Sequence, residues 1–218
     1  MAGRKWMDYL NLAVNILVVL LVAGFMLRPG GPVGDWIAER RQRAAVEQQI
    51  RAVWPELIKG ARVDDGPPAA KLVVLFSDYQ CPGCRQAHFR IAELARETGV
   101  GVILRHTPNT TSHPMAHDAA RAAICADRQG RFRAMSDYLF TDTEWQRTPM
   151  WASIAAASAV PDTAAFLKCL VDPTVARQIA EDLMLAERIG YRGTPTFVGP
   201  RGMILGIPTP EALRQLVD

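Results

Sequence analysis

No residue between Leu10 and Leu27 carries a charge, and only Asn11 and Asn15 are polar. A run of eighteen such residues satisfies its backbone N–H and C=O groups away from water only as a helix. At 1.5 Å per residue that helix is about 27 Å long, close to the hydrocarbon thickness of a bilayer. Arg4, Lys5 and Asp8 precede the run and Arg28 follows it. The run exceeds a usual signal-peptide core, and Val22-Ala23-Gly24 is only a weak approach to a cleavage site. We therefore read residues 10–27 as a retained transmembrane signal-anchor helix and residues 1–9 as a cytoplasmic tail. Cleavage and secretion is the alternative. Arginines on both sides leave the orientation to be fixed by the chemistry of the remainder.

The run also divides the charge. Residues 1–62 hold nine Lys or Arg against five Asp or Glu, a net +4, whereas residues 63–218 hold sixteen against seventeen, a net −1. The part beyond the leader has no field that would draw nucleic acid. With 49% apolar and 22% charged residues, the chain is not a disordered one. No second apolar run approaches the length of a span, which excludes a polytopic membrane protein.

Pro29 to Gly34 (PGGPVG) reads as a flexible break, and residues 28–62 as a linker containing an amphipathic helix. Asp35 is placed to cap that helix, which runs to about Val53, with Pro55 interrupting it. Ile50, Val53, Trp54, Leu57 and Ile58 form one apolar face, suited either to packing on the chain's own domain or to a homodimer through residues 35–60. Gly66-Pro67-Pro68 closes the linker. Beyond it, the apolar run Lys71–Asp78 predicts a buried strand, Pro82 to about Thr98 a helix, and Val102–His106 a second strand. The pattern from about His113 to Gly190 is helical, broken at Gly130, Pro149, Pro161 and Pro173. Thr196–Val198 and Met203–Ile207 flank a Gly-Pro-Arg-Gly turn as a hairpin, and Pro210 opens a last helix. Two strands joined through a helix run parallel, and a closing hairpin makes the sheet mixed.

Cys81-Pro82-Gly83-Cys84 falls where the first strand becomes a helix. Backbone N–H groups at a helix start have no partner within the helix, and the dipole adds positive potential. A sulfur there is favoured as thiolate, so the Cys81 pKa falls. Cys84, three residues on, lies on the same helix face, more buried and less acidic. Pro82 suits a helix start because its missing N–H would be unpaired anyway. Zinc, the main competitor for a C-x-x-C pair, needs two more ligands. Cys125 and Cys169 are single and distant, so we assign no metal site.

FSDYQCPGCRQAH at 76–88 resembles the active-site segment of DsbA-like thiol-disulfide oxidoreductases of the thioredoxin superfamily. Gly193-Thr194-Pro195-Thr196-Phe197 is similar to the cis-proline loop of that superfamily. AAICADRQGRF at 122–132 and FLKCL at 166–170 look like the helical insertion of its bacterial members. The resemblance covers roughly residues 63–218. It implies an α/β, thioredoxin-like fold with a mixed central sheet and a helical insertion at about 108–190, here preceded by the transmembrane helix and helical linker. It implies that Cys81 is the nucleophile and Cys84 the resolving cysteine, within a motif completed by Pro82 and Gly83. It implies further that the Thr194–Pro195 bond is cis, faces Cys81 and binds an extended substrate segment.

Two departures stand out. Many relatives carry a buried carboxylate six residues before the nucleophile, where this chain has Leu75, and Asp78 sits too near the helix start to be taken as its substitute. Gly83 offers no side-chain donor between the cysteines, so a strongly oxidising potential is not assumed. Some relatives have a second disulfide in the insertion. Cys125 and Cys169 are open to that pairing, to being buried free thiols, or to being a functional thiol pair.

The resulting expectation is a single-pass protein of the inner membrane, its catalytic domain on the periplasmic or extracytoplasmic side. It acts on cysteine-containing exported proteins and is reset by a membrane redox partner, either a quinone-linked oxidase or a transmembrane reductant. No cofactor is expected. The alternative is a membrane-tethered chaperone or soft-metal-binding module without turnover. His88 reads as a helix-surface residue. His113 and His117, at i, i+4, read as structural and lack the glutamate of a zincin helix. Trp145, Trp151, Met135 and Met150 suit either the core or a peptide-binding surface.

Overall fold

The computed structural model describes residues 2–59 and 71–218. The chain divides into two compact units, Met1–Ala45 and Val46–Asp218. In the first, α1 (Ala2–Leu27) contains the apolar run. It is long and apolar enough to cross a membrane: its best 18-residue window has a mean hydropathy of 2.5, and none of that window is buried. Pro29, Gly30 and Gly31 form a tight turn rather than the expected flexible break. Gly30 adopts φ 82°, and a Cβ at Gly31 or Gly34 would collide with the carbonyls that end α1. The next helix, α2 (Pro32–Ile58), starts before Asp35, whose carboxylate accepts the Gly30 N–H at 2.9 Å.

In the second unit a four-stranded sheet has the order β2-β1-β3-β4. Strands β1 (Leu72–Ser77) and β2 (Gly101–His106) pair in parallel across α3 (Pro82–Thr98). Strands β3 (Thr196–Gly199) and β4 (Gly202–Leu205) form the hairpin, with β3 antiparallel to β1. Between β2 and β3 lie α4 (Ala116–Asp127), α5 (Phe132–Thr141), a 3-10 turn at Glu144–Gln146, α6 (Trp151–Ala157), α7 (Thr163–Leu170) and α8 (Pro173–Arg188). The last helix is α9 (Pro210–Gln215). This is the mixed sheet and helical insertion of a thioredoxin-like fold. The foreseen junction of linker and domain at 62 and 63, and Gly66-Pro67-Pro68, lie outside the described residues.

Alternation along β1 sends its side chains to opposite faces. Val73 and Leu75 pack with Ile91 and Leu94 of α3 and Leu213 of α9. Val74 and Phe76 pack with Ile50, Val53 and Leu57 of α2 and with Leu185 and Ile189 beyond. A strand covered on both faces reads as a continuous apolar run, which is why LVVLF shows no alternation in its residue types.

Pro55 does not interrupt α2, contrary to expectation, and the helix continues to Ile58. An interior proline costs about 3 kcal/mol. Full burial of Leu57 and near-full burial of Val53 each return about 1.5–3 kcal/mol. The Arg105 guanidinium also collects the terminal carbonyls, bonding Leu57 O at 2.9 Å and Glu56 O at 3.3 Å while pairing with Asp182 at 3.0 Å. Leu57→Ala therefore costs about 2–5 kcal/mol. A lowered denaturant midpoint of the full chain in detergent micelles, with no loss of apolar-helix signal from α1, is the expected readout.

Candidate active site

The end of β1 delivers the site. At Ser77 the chain leaves the sheet, and the next three residues are fastened before α3 begins. The Asp78 carboxylate is buried, with Oδ1 accepting the Gln80 N–H and Oδ2 accepting the Asn109 N–H, both at 2.8 Å. His113 Nδ1 meets the same Oδ2 at 2.8 Å. The Tyr79 hydroxyl pairs with Ser136 Oγ at 2.7 Å, and Gln80 Oε1 accepts the Met115 N–H at 2.6 Å. The Cys81 N–H donates to Asp78 O at 3.1 Å, closing the turn. Cys81 is then the N-cap of α3 in an extended conformation, with Pro82 in its first turn.

The two cysteines are free thiols in different surroundings. Cys81 is 9% exposed and Cys84 only 1%. The Cys81 pKa is lowered to about 5, first by the Cys84 thiol donating to its sulfur, then by the Thr194 side chain and the backbone N–H groups of Cys84 and Gly83. Burial opposes this and loses. As a thiol, Cys81 donates to Thr194 O at 3.4 Å, a contact that favours the protonated form and is outweighed by the donors at the helix start. Burial pushes the Cys84 pKa far above the ordinary thiol range, and neighbouring Cys81 adds to it. Cys84 Sγ accepts the Asp78 N–H at 3.4 Å.

The Thr194–Pro195 peptide bond is cis. Its loop faces the helix start closely enough that a Cβ on Gly83 would lie 3.0 Å from Pro195 Cδ and 3.8 Å from Cys81 Sγ. Residue 83 is thus limited in size by the proline opposite, a constraint absent from the sequence. Cys125 of α4 and Cys169 of α7 are joined by a disulfide, with 5.8 Å between their Cα atoms. Leu75 lines the pocket beneath Cys84 as an apolar side chain.

Several residues depart from expectation. His88 is not on the helix surface: it is 8% exposed, stacks on Phe140 at 4.6 Å and meets Asp137 Oδ1 through Nε2 at 2.8 Å. Its neighbour Phe89 is 57% exposed. The signal was present, since 84, 87, 88, 91 and 95 share the buried face of α3. His106 is buried beside Tyr79 and Phe132, and burial, followed by the Arg105 charge, lowers its pKa to about 3. It is neutral at physiological pH. Among the described residues no group of three or more His, Cys, Asp or Glu side chains is placed to hold a metal ion. Trp145 and Met135 are core residues, while Met150 is exposed.

An acidic sulfur capping a helix, a buried partner one turn on and a cis-proline loop opposite define a thioredoxin-fold protein of the two-cysteine type. The chain belongs to the thioredoxin family, whose model, described as Thioredoxin, matches residues 61–218. The thiol-disulfide exchange protein alpha-DsbA2 from Wolbachia pipientis superposes with a TM-score of 0.69 at 16% identity, covering 80% of this chain and 95% of that one. A thioredoxin-like oxidoreductase from Silicibacter pomeroyi superposes with a TM-score of 0.65 at 28% identity, covering 74% and 94%. The Na(+)/H(+) antiporter NhaA 3 of Salinispora tropica is 36% identical over 134 residues, 61% of this chain. The chain spans only about a fifth (20%) of that relative's length, so the antiporter activity in its name describes a much larger protein.

Three outcomes follow from this geometry. Alkylation of Cys81 by iodoacetamide rises with a midpoint near pH 5 and is flat through neutrality. Cys84→Ala removes the leading thiolate-stabilising donor and moves that midpoint upward, as a pH series of alkylation rates records. Gly83→Val crowds Pro195, so thiol exchange with a peptide disulfide slows while alkylation of Cys81 by a small reagent persists.

Proposed function

We propose that the protein is a membrane-anchored thiol-disulfide oxidoreductase acting on cysteines of exported proteins, with Cys81 as nucleophile and Cys84 as resolving cysteine. The observation that carries the reading is the placement of two sulfurs one helical turn apart opposite a cis-proline loop: Cys81 caps α3 as the more acidic thiol, while Cys84 is buried and its thiol is pushed well above the usual range. A low-pKa thiol is both the better-ionised attacker at neutral pH and the better leaving group.

In the reducing or shuffling direction, the Cys81 thiolate attacks a substrate disulfide. A mixed disulfide forms and one substrate sulfur leaves as thiolate. The Cys84 sulfur then bonds Cys81, and the second substrate sulfur leaves. In the oxidising direction, a substrate thiolate attacks Cys81 of the Cys81–Cys84 bond and Cys84 departs. A second substrate thiol then displaces Cys81 and closes the substrate disulfide. In both directions Thr194 and Pro195 face the reacting sulfur, and the Thr194 backbone is suited to receive an extended segment as an added strand. The pair is reset by a membrane redox partner, quinone-linked or reducing according to direction.

The anchor is α1, with residues 1–9 cytoplasmic, residues 10–27 in the inner membrane and the domain beyond residue 63 on the periplasmic side. The Cys125–Cys169 disulfide supports an oxidising compartment. Homodimerisation through residues 35–60 is not part of the proposal, because Ile50, Val53 and Leu57 are already buried within their own domain. A tethered chaperone or soft-metal module without turnover is the competing reading.

Cys84→Ala accumulates covalent adducts on Cys81 with exported proteins in intact cells, visible as reductant-sensitive bands that Cys81→Ser abolishes. If no adducts form with any thiol or disulfide protein, and the purified protein carries stoichiometric metal, the competing reading stands instead.

A further inference from the structure

Whichever way the electrons run, each turnover moves a proton on or off Cys84, a sulfur with almost no contact with solvent. Some group must take that proton and return it. Asp78 is close, but its carboxylate is committed to Gln80, Asn109 and His113, and only its backbone N–H reaches Cys84. His88 is placed differently. It lies one turn beyond Cys84 on α3 at i, i+4, on the same buried face. Cys84 and His88 both line one pocket beneath the active-site helix, whose other polar lining is Ser77, Ser136 and Arg133. His88 Nε2 lies 2.8 Å from Asp137 Oδ1, and the half-exposed Asp137 carboxylate is 3.0 Å from Arg133 Nε. His88 thus lines the same pocket as Cys84 and is bonded to a carboxylate that reaches solvent.

We propose that His88, oriented by Asp137, is the proton-relay residue of Cys84, working through the pocket they share. This rests on the oxidoreductase reading and names the group that serves its proton step. When Cys84 resolves a mixed disulfide, its proton passes through the pocket to the imidazole. Its electron pair forms the bond to Cys81, and the substrate sulfur leaves with the electrons of the broken bond. When a substrate thiolate opens the Cys81–Cys84 bond, the electron pair left on Cys84 takes the proton back from the imidazolium. The Asp137 carboxylate stabilises that imidazolium. The pocket is otherwise largely apolar, and the Ser77 and Ser136 hydroxyls in its lining are the groups that can bridge a thiol and an imidazole not in direct contact. The ionisable groups lining the pocket or bonded to His88 are Cys84 from its own helix and Arg133 and Asp137 from α5. Strands β1 and β2 contribute Leu75, Ser77, Val102 and Leu104, none of them a physiological acid or base.

The test is the two-phase release of thionitrobenzoate when the reduced full chain, in detergent micelles, reacts with Ellman's reagent. The first phase reports attack by Cys81 and the second reports resolution by Cys84. Both are followed from about pH 5 to about pH 9, spanning ordinary imidazole and thiol pKa values. In His88→Gln the first phase is unchanged. The second slows about tenfold or more at neutral pH, as loss of a general base does, and the gap narrows as the pH rises and hydroxide increasingly takes the proton. Asp137→Asn, at a half-exposed position, shows a smaller slowing with the same pH dependence, and it carries the test if His88→Gln does not fold. A second phase that matches the wild type at every pH, or falls by one constant factor at every pH, overturns the relay. A wild-type protein with no second phase overturns the oxidoreductase reading instead.

Discussion

The N–H groups of Gly83 and Cys84 lie in the first turn of α3, where the helix offers them no partner, and the Cys81 sulfur supplies one. Much of the architecture serves to keep that sulfur there. Strand β1 runs parallel to β2 as far as the Ser77–His106 pair, which fixes where the chain leaves the sheet. Asp78, Tyr79 and Gln80 then bond to three separate segments, around Asn109, Ser136 and Met115. The turn that carries Cys81 is held at each residue, so the sulfur meets the helix start without rearrangement.

The same helix carries a second sulfur to the opposite fate. Cys84 faces the seam between α3 and the insertion, where Tyr79, Phe140 and Met135 share its core. The insertion is thus a wall of the site as well as a decoration of the sheet. Its own integrity is reinforced by the Cys125–Cys169 disulfide, which joins α4 to α7 across a sequence separation of 44 and stabilises by roughly 4 kcal/mol in the chain-entropy account. Arg128 lies against that bond, its Nη1 3.6 Å from Cys169 Sγ and 2.9 Å from Asp172.

The far face of the sheet shows the complementary logic. Without α2, Val74, Phe76 and Ile103 would face water. With it, they form a second core whose third side is α8. Arg105 joins these parts, bridging the carbonyl end of α2 to Asp182, while the Asp182 carboxylate also accepts the His106 N–H at 2.8 Å. The terminal turns of the linker helix are therefore structural members of the domain and keep their helical form despite Pro55.

Several features were fixed by local rules that operate within a few residues. The apolar run reads as one helix, by its length and its lack of charge. The helix from Pro82 to Thr98, the hairpin around residues 199–202 and the breaks at Gly130, Pro161 and Pro173 follow from proline and glycine geometry and from hydrophobic period. So does the position of Cys81 at a helix start. Tertiary structure decided what depends on distant partners. His88 and Phe89 exchange the exposures expected of a histidine and a phenylalanine because Phe140 and Asp137, some fifty residues away, offer the imidazole a stacking surface and a hydrogen bond. Pro55 is tolerated because Val53 and Leu57 on either side of it are buried against the sheet. Gly83 is confined because Pro195, more than a hundred residues later, closes over it. Each of these outcomes balances a local preference worth a few kcal/mol against contacts of similar size. A balance that close is settled only when the chain has folded and the opposing groups are in place.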